Sequence, residues 1–384
     1  MPAFEHRIAQ ALTKRRDEGL TRKEWLLEEG NGVALTLSGQ RYTNFSSNDY
    51  LGLATDSELA KAWQEGISKY GCGSAASPMV TGYSRAHANL NAALCDWLGF
   101  EHSTLFSSGF SANQALLFSL LEKEDVLIQD KLNHASLMEA GLLSPAKMKR
   151  FRHNDGEHLS QLLTPEINQL VVTEGVFSMD GDLSPLQEIQ RITQNNNAWL
   201  VVDDAHGIGV LGEEGRGTSS HCNIKPDILV VTFGKAFGLS GAAILTSKPV
   251  GEYISQFARH YVYSTAMPPS QAYALTHAIG MIRQQEWRRE KLAELKDVYR
   301  ASASSLDGFV DTITPINPFL IGQSEKTLNI AENMKKAGHW LTAIRPPTVA
   351  TGSARLRITL TANHSNEQVA SLVQALTEVF EVSG

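Results

Sequence analysis

Two short apolar runs, each ending in polar residues, place the tightest constraint on what this chain can fold into. The first reads Trp199-Leu200-Val201-Val202 and delivers Asp203-Asp204-Ala205-His206-Gly207; the second reads Ile228-Leu229-Val230-Val231 and delivers Thr232-Phe233-Gly234-Lys235. β-Branched runs of this length, bounded by glycine and charge and set beside helical patterns, predict buried parallel strands. In an open α/β sheet ligands sit beyond the carboxyl ends of such strands. An acid, an imidazole and an amine are therefore predicted to converge on one crevice.

The same pattern recurs along the chain. Thr104-Leu105-Phe106-Ser107 runs into Ser108-Gly109-Phe110, after which Ala112, Ala115, Leu116, Leu117, Leu120 and Leu121 supply a helical face. A strand ending at a helix start exposes backbone N–H groups and a positive dipole end, so the Gly109 and Phe110 amides suit a phosphate; taken by itself, the segment is an ordinary βα turn. Val126-Leu127-Ile128 precedes Asn133-His134-Ala135-Ser136, and Leu170-Val171-Val172-Thr173 precedes an acidic, glycine-rich stretch containing Ser178. A helix over Gln187–Asn195 and a strand over Ala242–Thr246 complete the alternation. Strand, loop and helix in this order predict an α/β fold, a mostly parallel central sheet with helices on both faces.

Flanking segments read differently. Residues 1–47 form an arm, a helix followed by a hairpin around Ser38-Gly39-Gln40; residues 48–285 form the large domain; residues 286–384 form a small α+β C-terminal domain. Gln271–Ser302 is rich in alternating charge and predicts one long, solvated connecting helix. Ala354-Arg355-Leu356-Arg357-Ile358-Thr359 reads as a strand with two arginines on one side, and a planar guanidinium is a natural clamp for a carboxylate; a pair of salt-bridged sheet arginines is the alternative.

Composition narrows the class. With 42% hydrophobic and 20% charged residues and a net charge of −7, the chain has no basic excess to bind nucleic acid. Cys72, Cys95 and Cys222 are scattered, giving neither a disulfide framework nor a zinc clip, and the cytoplasm is the expected compartment. No run approaches the length of a membrane span, and Glu5, Asp17 and Glu18 argue against a transit peptide.

A lysine able to form a Schiff base with pyridoxal phosphate, and an acid to keep the cofactor's ring nitrogen protonated, would account for Lys235 and Asp203 together. Each alone has a plain meaning, a solvated charge or a capped turn; their pairing at consecutive strand ends favours chemistry. Gly207-Ile208-Gly209-Val210-Leu211-Gly212 matches a dinucleotide fingerprint literally, but Glu213-Glu214-Gly215-Arg216-Gly217 cannot open the apolar helix it requires. A P-loop at Gly234-Lys235 fails because Leu229 stands where its first glycine belongs.

Asp203-x-x-His206, Thr232-x-x-Lys235, Asn48-Asp49-Tyr50-Leu51-Gly52, Asn133-His134-Ala135-Ser136 and Arg355-Leu356-Arg357 resemble the α-oxoamine synthases, fold-type I pyridoxal-phosphate enzymes. The resemblance spans nearly the whole chain. It implies a PLP-dependent transferase in which Lys235, His134 and Asp203 are catalytic. His134 would stack on the cofactor ring, Ser178 contact it, His206 bond its phenolate oxygen and Thr232 its phosphate, with Thr265 near the neighbour's phosphate across a homodimer interface. Arg22, which otherwise reads as a surface arginine, moves to the acyl-substrate entrance, while Asn48, His134 and Thr348 would touch substrate and Arg357 hold the amino-acid carboxylate.

Ile344-Arg345-Pro346-Pro347-Thr348-Val349 resembles the branch that condenses L-alanine with a pimeloyl thioester, carried on acyl carrier protein or coenzyme A. Ala350 departs from an expected proline and Ser353 from a threonine. The alternatives are a glycine-using relative such as 2-amino-3-ketobutyrate ligase, or a metal-dependent hydrolase built on Asp203, Asp204 and His206; no resident metal is expected.

Overall fold

The computed structural model describes residues 3–383, and the apolar runs line up in one seven-stranded sheet. Its strands are β3 (His102–Phe106), β4 (Val126–Asp130), β5 (Lys147–Phe151), β6 (Gln169–Glu174), β7 (Trp199–Asp203), β8 (Ile228–Thr232) and β9 (Ala242–Thr246), in the order β3-β9-β8-β7-β6-β4-β5. They follow the hairpin β1 (Ala34–Leu37) and β2 (Gln40–Asn44). Only β9 runs against its neighbours; every other adjacent pair is parallel.

Alternate residues leave the sheet on opposite sides, and both sides are buried. Val171, Leu229 and Val231 join one apolar cluster with Leu90, Trp97 and Ile189 from covering helices. Leu170, Val172 and Val230 join a second with Ala112, Leu116, Leu137 and Ala140. Each fully buried Val or Leu contributes about 1.5–3 kcal/mol, so the strand pairing is held by its faces as much as by its ladder. Both faces being covered explains why these strands read as continuous apolar runs rather than as alternating ones.

Two smaller sheets flank this one. β10 (Ile316–Gly322), β12 (Thr342–Ile344) and β13 (Ala354–Thr359) form an antiparallel sheet in the order β10-β13-β12. β11 (His339–Trp340) pairs parallel with β2, so the N-terminal hairpin is stitched to the C-terminal third of the chain.

The expected single helix over Gln271–Ser302 is corrected to two, Pro269–Gln284 and Trp287–Ala303. Nor is the junction solvated: Arg288 and Arg289 are buried. Arg289 Nη1 donates to the Ile282 carbonyl at 2.7 Å, satisfying an acceptor that the end of the first helix leaves open. Arg288 donates to the Leu51 carbonyl at 2.7 Å and to Asp56 at 2.6 Å, pinning the start of the second helix to the loop that carries Asn48. Charges that look like a solvated face are tertiary anchors.

A further clamp ties the end of β4 to the loops beyond β5 and β6. His153 Nδ1 lies 3.0 Å from Asp130 and its Nε2 lies 2.8 Å from Asp182. Burial alone would lower its pKa, but the hydrogen bonds and charges of the two aspartates outweigh that effect and raise it to about 10. A folded-state value above the ordinary 6.5 stabilises the fold fully below pH 6.5 and loses that contribution as pH rises through about 10. Replacing His153 with glutamine should therefore lower the unfolding free energy by about 1.5–3 kcal/mol near neutral pH. Urea titrations of both proteins should show the gap closing toward alkaline pH; a gap that does not narrow would refute the ion-pair account.

Candidate active site

The carboxyl ends of β6, β7 and β8 and the start of the Gly109–Leu120 helix surround a cavity of about 250 Å³. Gly109, Phe110, His134, Asp203, His206, Thr232 and Lys235 all line it. Sequence-predicted residues from four separate segments thus meet at one place. Glycine spacing at Gly207 opens only the turn Glu213–Gly215 and no apolar helix, as its neighbours predict.

Asp203 ends β7 with both oxygens engaged. Oδ2 accepts from Asn113 Nδ2 at 2.8 Å and Oδ1 from the Ala205 N–H at 3.1 Å. Asn113 also donates to Ser136 Oγ at 2.9 Å, and Ser136 Oγ lies 2.8 Å from His134 Nδ1. His134 caps its helix by accepting the Ser136 N–H on that nitrogen, so Nδ1 is the unprotonated one in the neutral ring. Desolvation lowers the His134 pKa; Asp203 opposes that effect and Lys235 adds to it.

Lys235 sits three residues beyond β8, with Nζ 3.3 Å from Thr232 Oγ1. Burial lowers its pKa, against the opposing pull of Asp203 and Glu174. His206 is buried, and desolvation followed by the charges of Lys235 and Arg357 drives its pKa well below the usual range. Tyr50 Oη lies 2.6 Å from His206 Nδ1, and burial raises the phenol's pKa. With both groups neutral, the phenol O–H donates to Nδ1 and leaves the His206 proton on Nε2.

The Gly109–Leu120 helix offers an anion seat at its N-terminus. Ser108 Oγ accepts the Ser111 N–H at 3.1 Å, while the Gly109 and Phe110 N–H groups have no partner among the described residues. A Cβ on Gly109 would stand 2.7 Å from Thr232 Cγ2, so a side chain there would close the approach to those amides.

Other predicted residues lie around the cavity rather than on it. Arg357 Nε donates to the Ser178 carbonyl at 2.6 Å and Nη1 to Asn48 Oδ1 at 3.0 Å. Its strand neighbour Arg355 is tied to Asp180 and to the Ser353 carbonyl. Thr265 is exposed and lines an adjoining cleft that shares Ser107 with the main cavity. Arg22 and Thr348 are exposed on two segments drawn together where Arg345 Nη1 donates to the Gly19 carbonyl at 3.1 Å.

Asn113, Tyr50 and Glu174 were not singled out as site residues in the sequence. Asn113 interrupts an apolar helix face and Tyr50 sits inside a quoted motif, so both left a signal. The metal-hydrolase alternative fails on geometry. Asp204 accepts from the Thr218 N–H at 2.8 Å and its hydroxyl at 2.6 Å, and the described residues gather no trio of metal-ligating side chains. Burial pushes the Asp204 pKa up to about 7.

Unpaired helix amides beside a threonine hydroxyl, a buried acid, a desolvated amine and a buried Asn113 Oδ1 without a partner fit pyridoxal phosphate. On a mostly parallel sheet this set defines a fold-type I pyridoxal-phosphate transferase. Comparisons agree: the Aminotransferase class I and II profile matches residues 40–376. A serine palmitoyltransferase from S. paucimobilis, solved with bound PLP–myriocin, superposes with a TM-score of 0.91 at 26% identity over 99% of this chain and 98% of that one. The 8-amino-7-oxononanoate synthase of Francisella tularensis gives 0.78 at 27% identity over 89% and 98%.

The 8-amino-7-oxononanoate synthase of Vibrio parahaemolyticus is 65% identical over 98% of this chain and 99% of the relative. The chain belongs to the class I and II aminotransferase family and, within it, to the 8-amino-7-oxononanoate synthases, pyridoxal-phosphate-dependent acyltransferases of biotin biosynthesis.

Proposed function

We propose that this cavity condenses L-alanine with a pimeloyl thioester, releasing carbon dioxide and a free thiol. The observation that carries this reading is the meeting of Lys235 and Asp203 in one cavity beyond adjacent strands. Pyridoxal phosphate, when bound, supplies a ring that takes up the negative charge left at an amino acid's Cα. Lys235 attaches it and, with its pKa lowered by burial, removes the Cα proton through Nζ. Asp203 keeps the ring nitrogen protonated through its carboxylate.

His206 donates from Nε2 to the ring oxygen, while the Gly109 and Phe110 amides and the Thr232 hydroxyl hold the phosphate. His134 would lie against the ring face and Ser178 would contact the ring, with Arg357 binding the alanine carboxylate. Asn48 shares that arginine, and Arg22 and Thr348 guide the acyl chain. A second copy of the chain completes the site with Thr265. The donor thiol is that of an acyl carrier protein or of coenzyme A, and the expected setting is the cytoplasm. No helix among the described residues is long and apolar enough to cross a membrane.

Thiol release from pimeloyl thioesters, measured on the cofactor-loaded protein with alanine, glycine and serine, tests the reading. Alanine should be the preferred amino acid; faster turnover with glycine would overturn it in favour of a glycine-using relative. Arg357→Lys keeps the charge but loses the planar fork. It should raise the KM for alanine about 10- to 100-fold, the scale of one charge-assisted hydrogen bond, with a smaller change in kcat. Steady-state kinetics at saturating thioester would show it, and an unchanged KM would place the carboxylate elsewhere.

A further inference from the structure

Glu174 ends β6 directly opposite Asp203 in the parallel register, and both side chains line the cavity. Two carboxylates at neighbouring strand ends cannot both ionise cheaply in a desolvated site. Asp203 has the better claim to the charge, because Asn113 and the Ala205 N–H both donate to it. Glu174 has less support. The His134 backbone N–H is turned to its carboxyl group, but Oε1 is buried without a hydrogen-bond partner among the described residues. A buried oxygen left open on a cavity wall either costs stability or waits for a partner that arrives with the ligand.

We propose that Glu174 is a neutral carboxylic acid whose O–H faces the cavity and donates a hydrogen bond to an oxygen of the bound cofactor or acyl donor. The proposal rests on the reading that this cavity takes pyridoxal phosphate. Asp203 from β7, Asp130 from β4, Lys235 beyond β8 and the His134 backbone face this carboxyl. Its pKa is raised well above the usual range by burial first and by Asp203 next, while the His134 N–H and Lys235 oppose the rise. A neutral carboxyl among such groups is a donor that a carboxylate cannot be, and a preorganised donor in a dry site stabilises developing oxyanion charge.

Infrared difference spectroscopy on the protein without cofactor tests the protonation state independently of activity. Wild type should show a protonated-carboxyl C=O band that Glu174→Gln removes; identical spectra would overturn the proposal. On loading pyridoxal phosphate the band should shift if the cofactor's oxygen is the acceptor. If the acceptor is the thioester carbonyl, it should shift only on adding a non-hydrolysable acyl thioester analogue. A band unmoved by either ligand would also overturn the proposal.

In the loaded enzyme Glu174→Gln, which keeps a neutral donor, should retain most of the turnover, whereas Glu174→Leu should lose about 10- to 100-fold. Equal losses in the two variants would rule out the donor role. Failure of the protein to bind the cofactor would count against the pyridoxal-phosphate reading alone, since the band in the unloaded protein does not depend on it.

Discussion

Lys235→Ala should lower turnover by on the order of 10⁴-fold, the upper end of what one positioned acid–base group supplies. It should also abolish covalent attachment of the cofactor. Both effects come from one placement. The residue sits three positions past β8, where the turn Thr232-Phe233-Gly234-Lys235 returns Nζ to 3.3 Å from Thr232 Oγ1. Its amine is held in the cavity wall with the Asp203 carboxylate as a countercharge, yet burial dominates and lowers its pKa. A more neutral amine is both the better nucleophile toward an aldehyde and the better base toward a Cα proton. Borohydride reduction followed by peptide mass analysis should find the cofactor on the peptide bearing residue 235 in wild type and nowhere in the variant. Attachment at another lysine, or turnover near wild type, would remove the foundation of the proposed chemistry.

Much of this arrangement could be read before the structure, and what could not has physical causes. β6, β7 and β8 are buried on both faces, so their sequences are uninterrupted apolar runs whose ends mark the site. β5, at the sheet edge, reads Lys-Met-Lys-Arg-Phe and is largely open to solvent, so its pairing with β4 leaves no apolar run to detect. The helix break near Gln285 is equally silent. It depends on Arg289 reaching back to the Ile282 carbonyl and Arg288 reaching the Leu51 carbonyl, contacts that local charge patterning cannot distinguish from a solvated face. At the site, sequence named Asp203, Thr232 and Lys235 at or just past strand ends, but not Glu174 at the end of β6 nor the residues brought in laterally. Asn113 reaches Asp203 from a helix that crosses the sheet, and Tyr50 reaches His206 across 156 positions.

Asp203→Asn is expected to keep the fold and the bound cofactor while slowing the reaction roughly 10²- to 10⁴-fold, the kinetic equivalent of about 3–5 kcal/mol for breaking a buried charge pair. Asn113 fixes the reason. Its amide donates to Oδ2 of Asp203 at 2.8 Å, so an asparagine at 203 must turn its own oxygen toward Asn113 and present its NH₂ elsewhere. A donor there cannot hold a proton on the ring nitrogen, and the ring loses its pull on electrons from Cα. The same change takes a negative charge from beside Glu174, lowering the cost of ionising that carboxyl, although burial still raises its pKa. The slow step should therefore be Cα proton removal, visible as a larger kinetic isotope effect with α-deuterated alanine than in wild type. A variant with an unchanged isotope effect and a rate within about threefold of wild type would show that a group other than Asp203 protonates the ring.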